Sequence, residues 1–162
     1  MLQHEFPSRR VVGIQGLTRL NVESAVPDIL PLLSDPSPCV VREASQSLSR
    51  AAYLVAGDEL MEIALHAPGR FARSHAVRTI ARLGKWRSLP WLLSIASISE
   101  SDVSAVAEEE LLQWLMPPKC NKVFTSPTPP EREALNSVLE KAQRHASERI
   151  LNLVRSTLQQ FS

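Results

Sequence analysis

The chain has 162 residues, a formal net charge of +1 and an apolar fraction of 44%. These values argue against an intrinsically disordered chain and against a surface that attracts polyanions over its whole area. Aromatic residues make up only 5% while leucine, alanine and serine are abundant, which favours helices over sheets.

Apolar side chains recur at spacings of three and four residues in short segments that Gly, Pro, Asn or Ser separate. Each segment predicts one short helix, and the many prolines fit an all-helical chain only if its helices are short. Asn21 separates the first two helices, and Pro31 predicts a kink in the second. In chain order the predicted helices span residues 8–20, 24–33, 38 to about 55, 58 to the turn at Pro68, 70–83, 89–98 and 101 to about 116.

The first, third, fifth and seventh of these helices repeat one pattern of side chains. Each of the four is the second helix of a helix pair, and we call them the second helices; the helices between them are the first helices of the pairs. The pattern has small residues at 13, 44 and 76, large aliphatic residues at 17, 48, 80 and 112, and arginines at 19, 50 and 82. The period of 31 to 32 residues predicts a solenoid, in which each helix pair buries its apolar face against the next pair.

The stretch 24–52 carries the clearest version of this repeat. An apolar helix is followed by the turn Asp35-Pro36, then by Val-Arg-Glu-Ala at 41–44 and by Leu48. This order resembles the short bacterial-type HEAT repeat, whose pattern is an apolar helix, an Asp-Pro turn and Val-Arg-x-x-Ala-x-x-x-Leu. The resemblance implies an all-α protein, an α-α superhelix of short HEAT-like helix pairs over residues 8–116, with the second helices along its inner surface.

Residues 117–130 are rich in proline, and we predict a linker there. Thr128, with Pro129 after it and Glu131 at the third helical position, forms a capping box that opens a helix. The apolar stripe that follows predicts one long amphipathic helix over 131–161, which caps the solenoid within the same compact domain. A stripe that docks a partner or a second copy of the chain is the alternative. Whether the chain is a piece of a longer protein stays open.

Charged and polar residues of the second helices are the candidates for a binding surface. Arginines on such a surface bind acidic segments of a partner, and near the end of a helix they also bond its last carbonyl groups. The predicted surface consists of Arg42, Gln46, Arg73 and Arg78, together with a ladder of Arg19, Arg50 and Arg82 at equivalent positions of successive repeats.

The run 70–87 contains six Lys or Arg residues and no acid, and the acidic stretch 100–110 follows it. A nucleic-acid-binding or DNA-repair-type HEAT-like module would use this run to hold phosphates. The period also places Arg78 beside Glu110 of the next repeat, so that pairing between repeats is the competing interpretation.

No residue pattern points to catalysis, a cofactor or a metal. None of the four histidines has another histidine or a cysteine three or four residues away, so we predict no metal site. Trp91 and Trp114 lie at apolar helical positions that favour a place in the core, although a glycosylase-type or lyase-type HEAT-like activity stays open. Cys39 and Cys120 belong to no ligand or redox motif and are predicted to be reduced thiols, with a single disulfide as the alternative.

The sequence therefore predicts a non-catalytic scaffold or adaptor that binds another protein, with the nucleic-acid-binding module as the alternative. We expect a cytoplasmic protein because no signal peptide is visible and no uncharged run approaches the ~18 residues of a membrane span. The identity of the partner and the oligomeric state do not follow from the sequence.

Overall fold

A computed structural model describes residues 1–98, 102–116, 125–142 and 146–160. Its α-helices are α1 Pro7–Ile29, α2 Pro38–Arg50, α3 Gly57–His66, α4 Arg70–Ile80, α5 Lys85–Ala96, α6 Ser104–Leu115, α7 Pro129–Ala142 and α8 Glu148–Gln159. The described ranges contain no strand, so the predicted all-α fold class is confirmed. Among these residues, no helix has both the length and the apolar character needed to cross a membrane.

The chain divides into two compact units, an N-terminal unit Met1–Leu83 and a C-terminal unit Gly84–Ser162. This division falls inside the stretch 8–116, which the repeat period assigns to one array. Residues 117–124 of the predicted linker lie outside the described residues.

α1 contains the break that the sequence predicts at Asn21. The backbone of Asn21 is extended, with φ −163° and ψ 99°, and its Oδ1 atom accepts hydrogen bonds from the N–H groups of Glu23 at 3.0 Å and Ser24 at 3.3 Å. Asn21 therefore caps the second half of α1, because its side chain replaces a missing helical acceptor. The chain then tightens into a 3-10 helix, Leu30–Ser34, at the predicted kink around Pro31.

The helices of the N-terminal unit stack in the order that the repeat period predicts. α2 packs against α1 on one side and against α4 on the other, while α3 packs against α4. Ala44 and Ala76, two of the predicted small positions, are fully buried, and so are Leu48 and Ile80, two of the predicted large positions, whereas Leu17 is half-buried. The small side chains let neighbouring helices approach, and the large ones fill the space between them.

An ion pair ties α1 to the turn that precedes α2. Arg10 donates to both carboxylate oxygens of Asp35, each at 2.8 Å, and the two side chains are only 11% and 6% exposed. Nη1 of Arg10 also donates to the carbonyl oxygens of His4 at 2.6 Å and Glu5 at 2.9 Å. The Asp35 carboxylate accepts a further bond from the Ser37 N–H at 2.8 Å. The hydrogen bond to Asp35 raises the pKa of Arg10, so this side chain stays charged.

In the C-terminal unit, α5 packs against α6 and α7, and α8 packs against α6 and α7. α5 begins at Lys85, so the predicted start at Leu89 is wrong. Ser88, the residue before the predicted start, is buried inside the helix, where its hydroxyl donates to the Lys85 carbonyl at 3.0 Å. The indole N–H of the buried Trp86 donates to the Thr125 carbonyl at 2.6 Å and holds the end of the linker against α5.

The prediction of one long helix over 131–161 is wrong, since α7 ends at Ala142 and α8 starts at Glu148. Ser147 has an extended ψ of 130° and occupies the N-cap position of α8, which serine favours. Glu148 adds the negative charge that a helix N-terminus attracts. The four-residue spacing of apolar side chains continues across this break, so the apolar pattern alone does not reveal it.

α7 opens at the predicted capping residues, and the apolar stripe of both C-terminal helices is buried. Oε2 of Glu131 accepts hydrogen bonds from the backbone N–H of Thr128 at 2.8 Å and from its hydroxyl at 2.7 Å. The buried stripe comprises Leu135, Leu139, Ala142, Ile150, Leu151, Val154 and Leu158.

Replacing either member of the Arg10–Asp35 pair should destabilise the fold, because the other member is left shielded from water without its counter-charge. We expect Arg10→Gln and Asp35→Asn each to lower the midpoint of thermal unfolding by several degrees. The double variant should lower it by less than the sum of the single changes, because both single changes break the same interaction. Arg9→Gln, at the exposed neighbouring position, is the matched control. Additive effects in circular-dichroism melts would show that the two side chains are not coupled.

Candidate functional site

α2 and α4 each present a stripe of polar side chains where the two helices pack together. Residues three and four positions apart lie on the same face of a helix, so each stripe lies on one side of its helix. The stripe of α2 consists of Arg42, Ser45, Gln46 and Ser49, and that of α4 of His75, Arg78 and Thr79, with Arg82 in the turn after it.

A buried hydrogen bond fixes how the two stripes meet. Ser45 Oγ and Thr79 Oγ1 lie 2.8 Å apart, and both residues are buried. The Thr79 hydroxyl gives its single proton to the His75 carbonyl at 2.8 Å, so Ser45 is the donor between the two hydroxyls. Further along, Nη1 of Arg82 donates to Ser49 Oγ at 3.0 Å. These two bonds across the interface set the register of α2 against α4.

Arg42, Arg78 and Arg82 lie near His75 on this surface, and we call these four residues the basic face. Arg42 and Arg82 are exposed, while Arg78 is half-buried. Within residues 1–83, all of which the structure describes, none of these arginines forms an ion pair. The basic face therefore carries positive charge that its own unit does not neutralise.

His75 is the titratable group of the basic face. Its ring packs on Phe71 with the ring centroids 4.4 Å apart, and its buried Nδ1 atom has no hydrogen-bond partner among the described residues. Burial first, and then the charges of Arg78, Arg42 and Arg82, lower the pKa of His75 below its ordinary value of 6.5. The imidazole is therefore neutral at physiological pH, and an anion bound beside it would favour the protonated form.

Two of the other predicted site residues have separate positions on these helices. Gln46 is exposed on the same stripe as Arg42. Arg73 is half-buried, and its Nη1 atom donates to the Ala67 carbonyl at 2.6 Å, so this arginine holds the turn that precedes α4. Arg73 therefore makes a structural contact, and its part in a binding surface stays a prediction.

The predicted ladder of Arg19, Arg50 and Arg82 stays a prediction, and all three side chains are exposed. Arg19 and Arg50 are exposed, and within residues 1–83, which the structure describes throughout, neither forms a side-chain hydrogen bond or an ion pair with the basic face. Arg82 alone of the three lies near His75.

The basic run 70–87 is shared between the two units, and its use as a phosphate-binding patch stays a prediction. It crosses the division between the two units, and Lys85 in the C-terminal unit is only 4% exposed. Nζ of Lys85 lies 4.8 Å from the centre of the Trp86 ring, so this cation faces an aromatic side chain. The pairing of Arg78 with Glu110 would join the two units and stays a prediction.

His75 and Phe71 are absent from the predicted site, although a signal for them exists. They precede Arg78 and Arg82 at helical spacing, so one helical face carries all four residues. The cations of residues 1–83 are all arginines, whose planar groups suit carboxylates and phosphates. The described residues contain no group of three or more His, Cys, Asp or Glu side chains that could hold a metal ion. The chemistry that the basic face supports is the binding of an anion.

The family model of HEAT repeats matches residues 1–77, which include α1, α2, α3 and most of α4. The predicted resemblance is therefore confirmed for this stretch. No curated protein and no solved structure matches the chain.

The lowered pKa of His75 makes stability depend on pH in a defined direction. The folded chain binds a proton at His75 less readily than the unfolded chain, so the stability from this site is complete above about pH 6.5 and is lost as the pH falls from that value through the lower pKa of the folded state. We expect His75→Gln to reduce the loss of thermal stability between about pH 7.5 and about pH 5.5. The exposed His66 provides the control variant His66→Gln. An unchanged pH dependence in His75→Gln would contradict this assignment.

Proposed function

We propose that this chain, whose residues 1–77 are HEAT repeats, is a non-catalytic scaffold that binds an acidic segment of a partner protein on its basic face. HEAT repeats commonly mediate protein–protein interaction. The observation that supports the proposal most directly is the cluster of arginines on packed second helices, which no carboxylate of residues 1–83 neutralises.

The packing of α2 against α4 favours binding by a preformed surface. The Ser45–Thr79 bond fixes the two helices in register, and the bond from Arg82 to Ser49 holds one guanidinium in place. A surface that is already ordered loses less conformational freedom when a ligand binds. Carboxylates of an extended or helical segment would then meet Arg42 and Arg78 on two helices whose register is already fixed.

The alternative of nucleic-acid binding has less support from the same observations. Proteins that grip duplex DNA commonly contact roughly 6–10 phosphates, whereas the basic face has three arginines and the buried Lys85 does not add to them. The net charge of +1 gives no general attraction for polyanions.

The absence of catalysis and a cytoplasmic location belong to the same proposal. No carboxylate is hydrogen-bonded to His75 in residues 1–83, all of which are described, so the arrangement that orients a general base is not present there. Cys39 is a free, exposed thiol, which fits a reducing compartment, while Cys120 lies outside the described residues.

The proposal is tested by fluorescence anisotropy with a labelled synthetic peptide of alternating glutamate and serine. We expect the double variant Arg42→Gln/Arg78→Gln to bind this peptide about five- to thirtyfold more weakly, because each arginine–carboxylate pair contributes roughly 0.5–1 kcal/mol. Arg155→Gln, at an exposed position of α8, should bind like the unchanged chain. Binding should also strengthen as the pH falls toward 6 or so, and His75→Gln should remove this pH effect.

Two results would overturn the proposal. One is equal binding of the glutamate peptide by the double variant and the unchanged chain. The other is a stronger affinity for a DNA duplex than for the peptide, with a steep dependence on salt, which would favour the nucleic-acid alternative.

A further inference from the structure

A groove lies on the first helices of the N-terminal unit and involves none of the residues of the basic face. It is bounded by the second half of α1, the 3-10 helix Leu30–Ser34, the turn before α3 and α3 itself, and it has a volume of about 740 Å³. Apolar side chains line it, namely Val26, Leu30, Leu54, Ile63 and the two prolines Pro27 and Pro31. This volume is within the range of ligand-binding clefts, which is roughly 300–1,000 Å³.

Three carboxylates, Asp58, Glu59 and Glu62, form one side of this groove, and we call the whole feature the acidic groove. All three residues are exposed. Asp58 and Glu59 lie in the first turn of α3, where negative charge stabilises the helix N-terminus. Glu62 lies beyond that turn, and its Oε2 atom is 3.9 Å from Nε2 of His66, a contact between two exposed side chains. The helix dipole therefore accounts for only part of this acidic cluster.

The distribution of charge along the N-terminal unit reinforces the contrast between its two surfaces. The stretches 20–41 and 51–69, which contain the first helices, have no lysine or arginine. Every arginine of residues 1–83 lies instead in or directly after a second helix. The acidic groove therefore has no fixed cation of its own in the stretches that build it.

The geometry points to the acidic groove as a docking site for a basic amphipathic segment of a partner protein, with apolar side chains on the floor and Lys or Arg beside the carboxylates. The apolar lining requires an apolar face on the occupant, and Leu54, which is 45% exposed, is available to meet it. The carboxylates select positive charge on the flanks of that face.

A second copy of the chain fits this groove less well. The basic face of a second copy supplies arginines, but Phe71, at 38% exposed, is the large apolar side chain beside it, and a single ring does not fill 740 Å³. The charge complementarity therefore favours a separate segment that carries both apolar and basic side chains.

The test measures binding of a labelled synthetic peptide that presents leucines on one face and lysines on the other face of a helix. We expect Glu59→Gln/Glu62→Gln to weaken this binding about tenfold, and Leu54→Ser to weaken it by a similar factor. Glu133→Gln/Glu140→Gln, at exposed positions of α7, is the control with the same change of charge. Circular-dichroism melts of all variants establish that each remains folded at the temperature of the measurement.

A peptide with serines in place of the leucines should bind much more weakly than the leucine–lysine peptide. Equal binding of the two peptides would overturn the proposal, because it would show that charge alone is recognised. Unchanged binding by the Glu59/Glu62 variant would overturn it as well. Self-association of the unchanged chain in sedimentation, removed by Glu59→Gln/Glu62→Gln, would show that a second copy is the occupant and would also overturn it.

This inference stands apart from the proposed function. Arg42→Gln/Arg78→Gln should keep full affinity for the leucine–lysine peptide, and the acidic-groove variants should keep full affinity for the glutamate peptide. A failure of either site is thereby distinguished from a failure of the other.

Discussion

The bond between Arg10 and Asp35 joins the first helix of the chain to the turn from which α2 departs. The Asp35 carboxylate also accepts a hydrogen bond from the Ser37 N–H, which fixes the backbone immediately before α2. The direction of α2 therefore depends on the same carboxylate that binds Arg10. Arg73 has the position equivalent to Arg10 two repeats later, and it likewise donates to a carbonyl six residues before itself. In the repeat between them the equivalent residue is Val41, which is buried and apolar. Two of three repeats thus hold the turn before a second helix with a guanidinium, and the middle one relies on packing.

The two surfaces of the N-terminal unit follow from this arrangement of helices. Because each second helix lies beside the next, their outward side chains form one surface, and arginines collect on it. The first helices carry carboxylates over an apolar groove instead. Opposite charge on the two surfaces keeps the net charge small while leaving each surface strongly charged, so the composition of the whole chain conceals both.

Features that repeat with the period of the chain were predictable from the sequence, and features that arise from a single contact were not. The fold class, the break at Asn21 and the burial of Ala44 follow from spacing and residue type. The Arg10–Asp35 pair joins residues whose separation of 25 is not the repeat period, so no overlay of repeats reveals it. The burial of Lys85 and the unbonded nitrogen of His75 depend on which neighbours fold over them. The acidic groove combines residues from α1, the 3-10 helix Leu30–Ser34, the turn before α3 and α3 itself. Its shape exists only after these elements pack together.

The use of arginine for every cation in residues 1–83 has a consequence for regulation. Acetylation and ubiquitination act on lysine side chains, so side chains of this unit offer them no target. The guanidinium charges of the basic face also persist over the whole range of cellular pH, which leaves His75 as the group there that can change its charge. Acetylation therefore cannot neutralise the guanidinium charges of the basic face, and arginine methylation, which keeps the charge, would change only the hydrogen bonds that they donate.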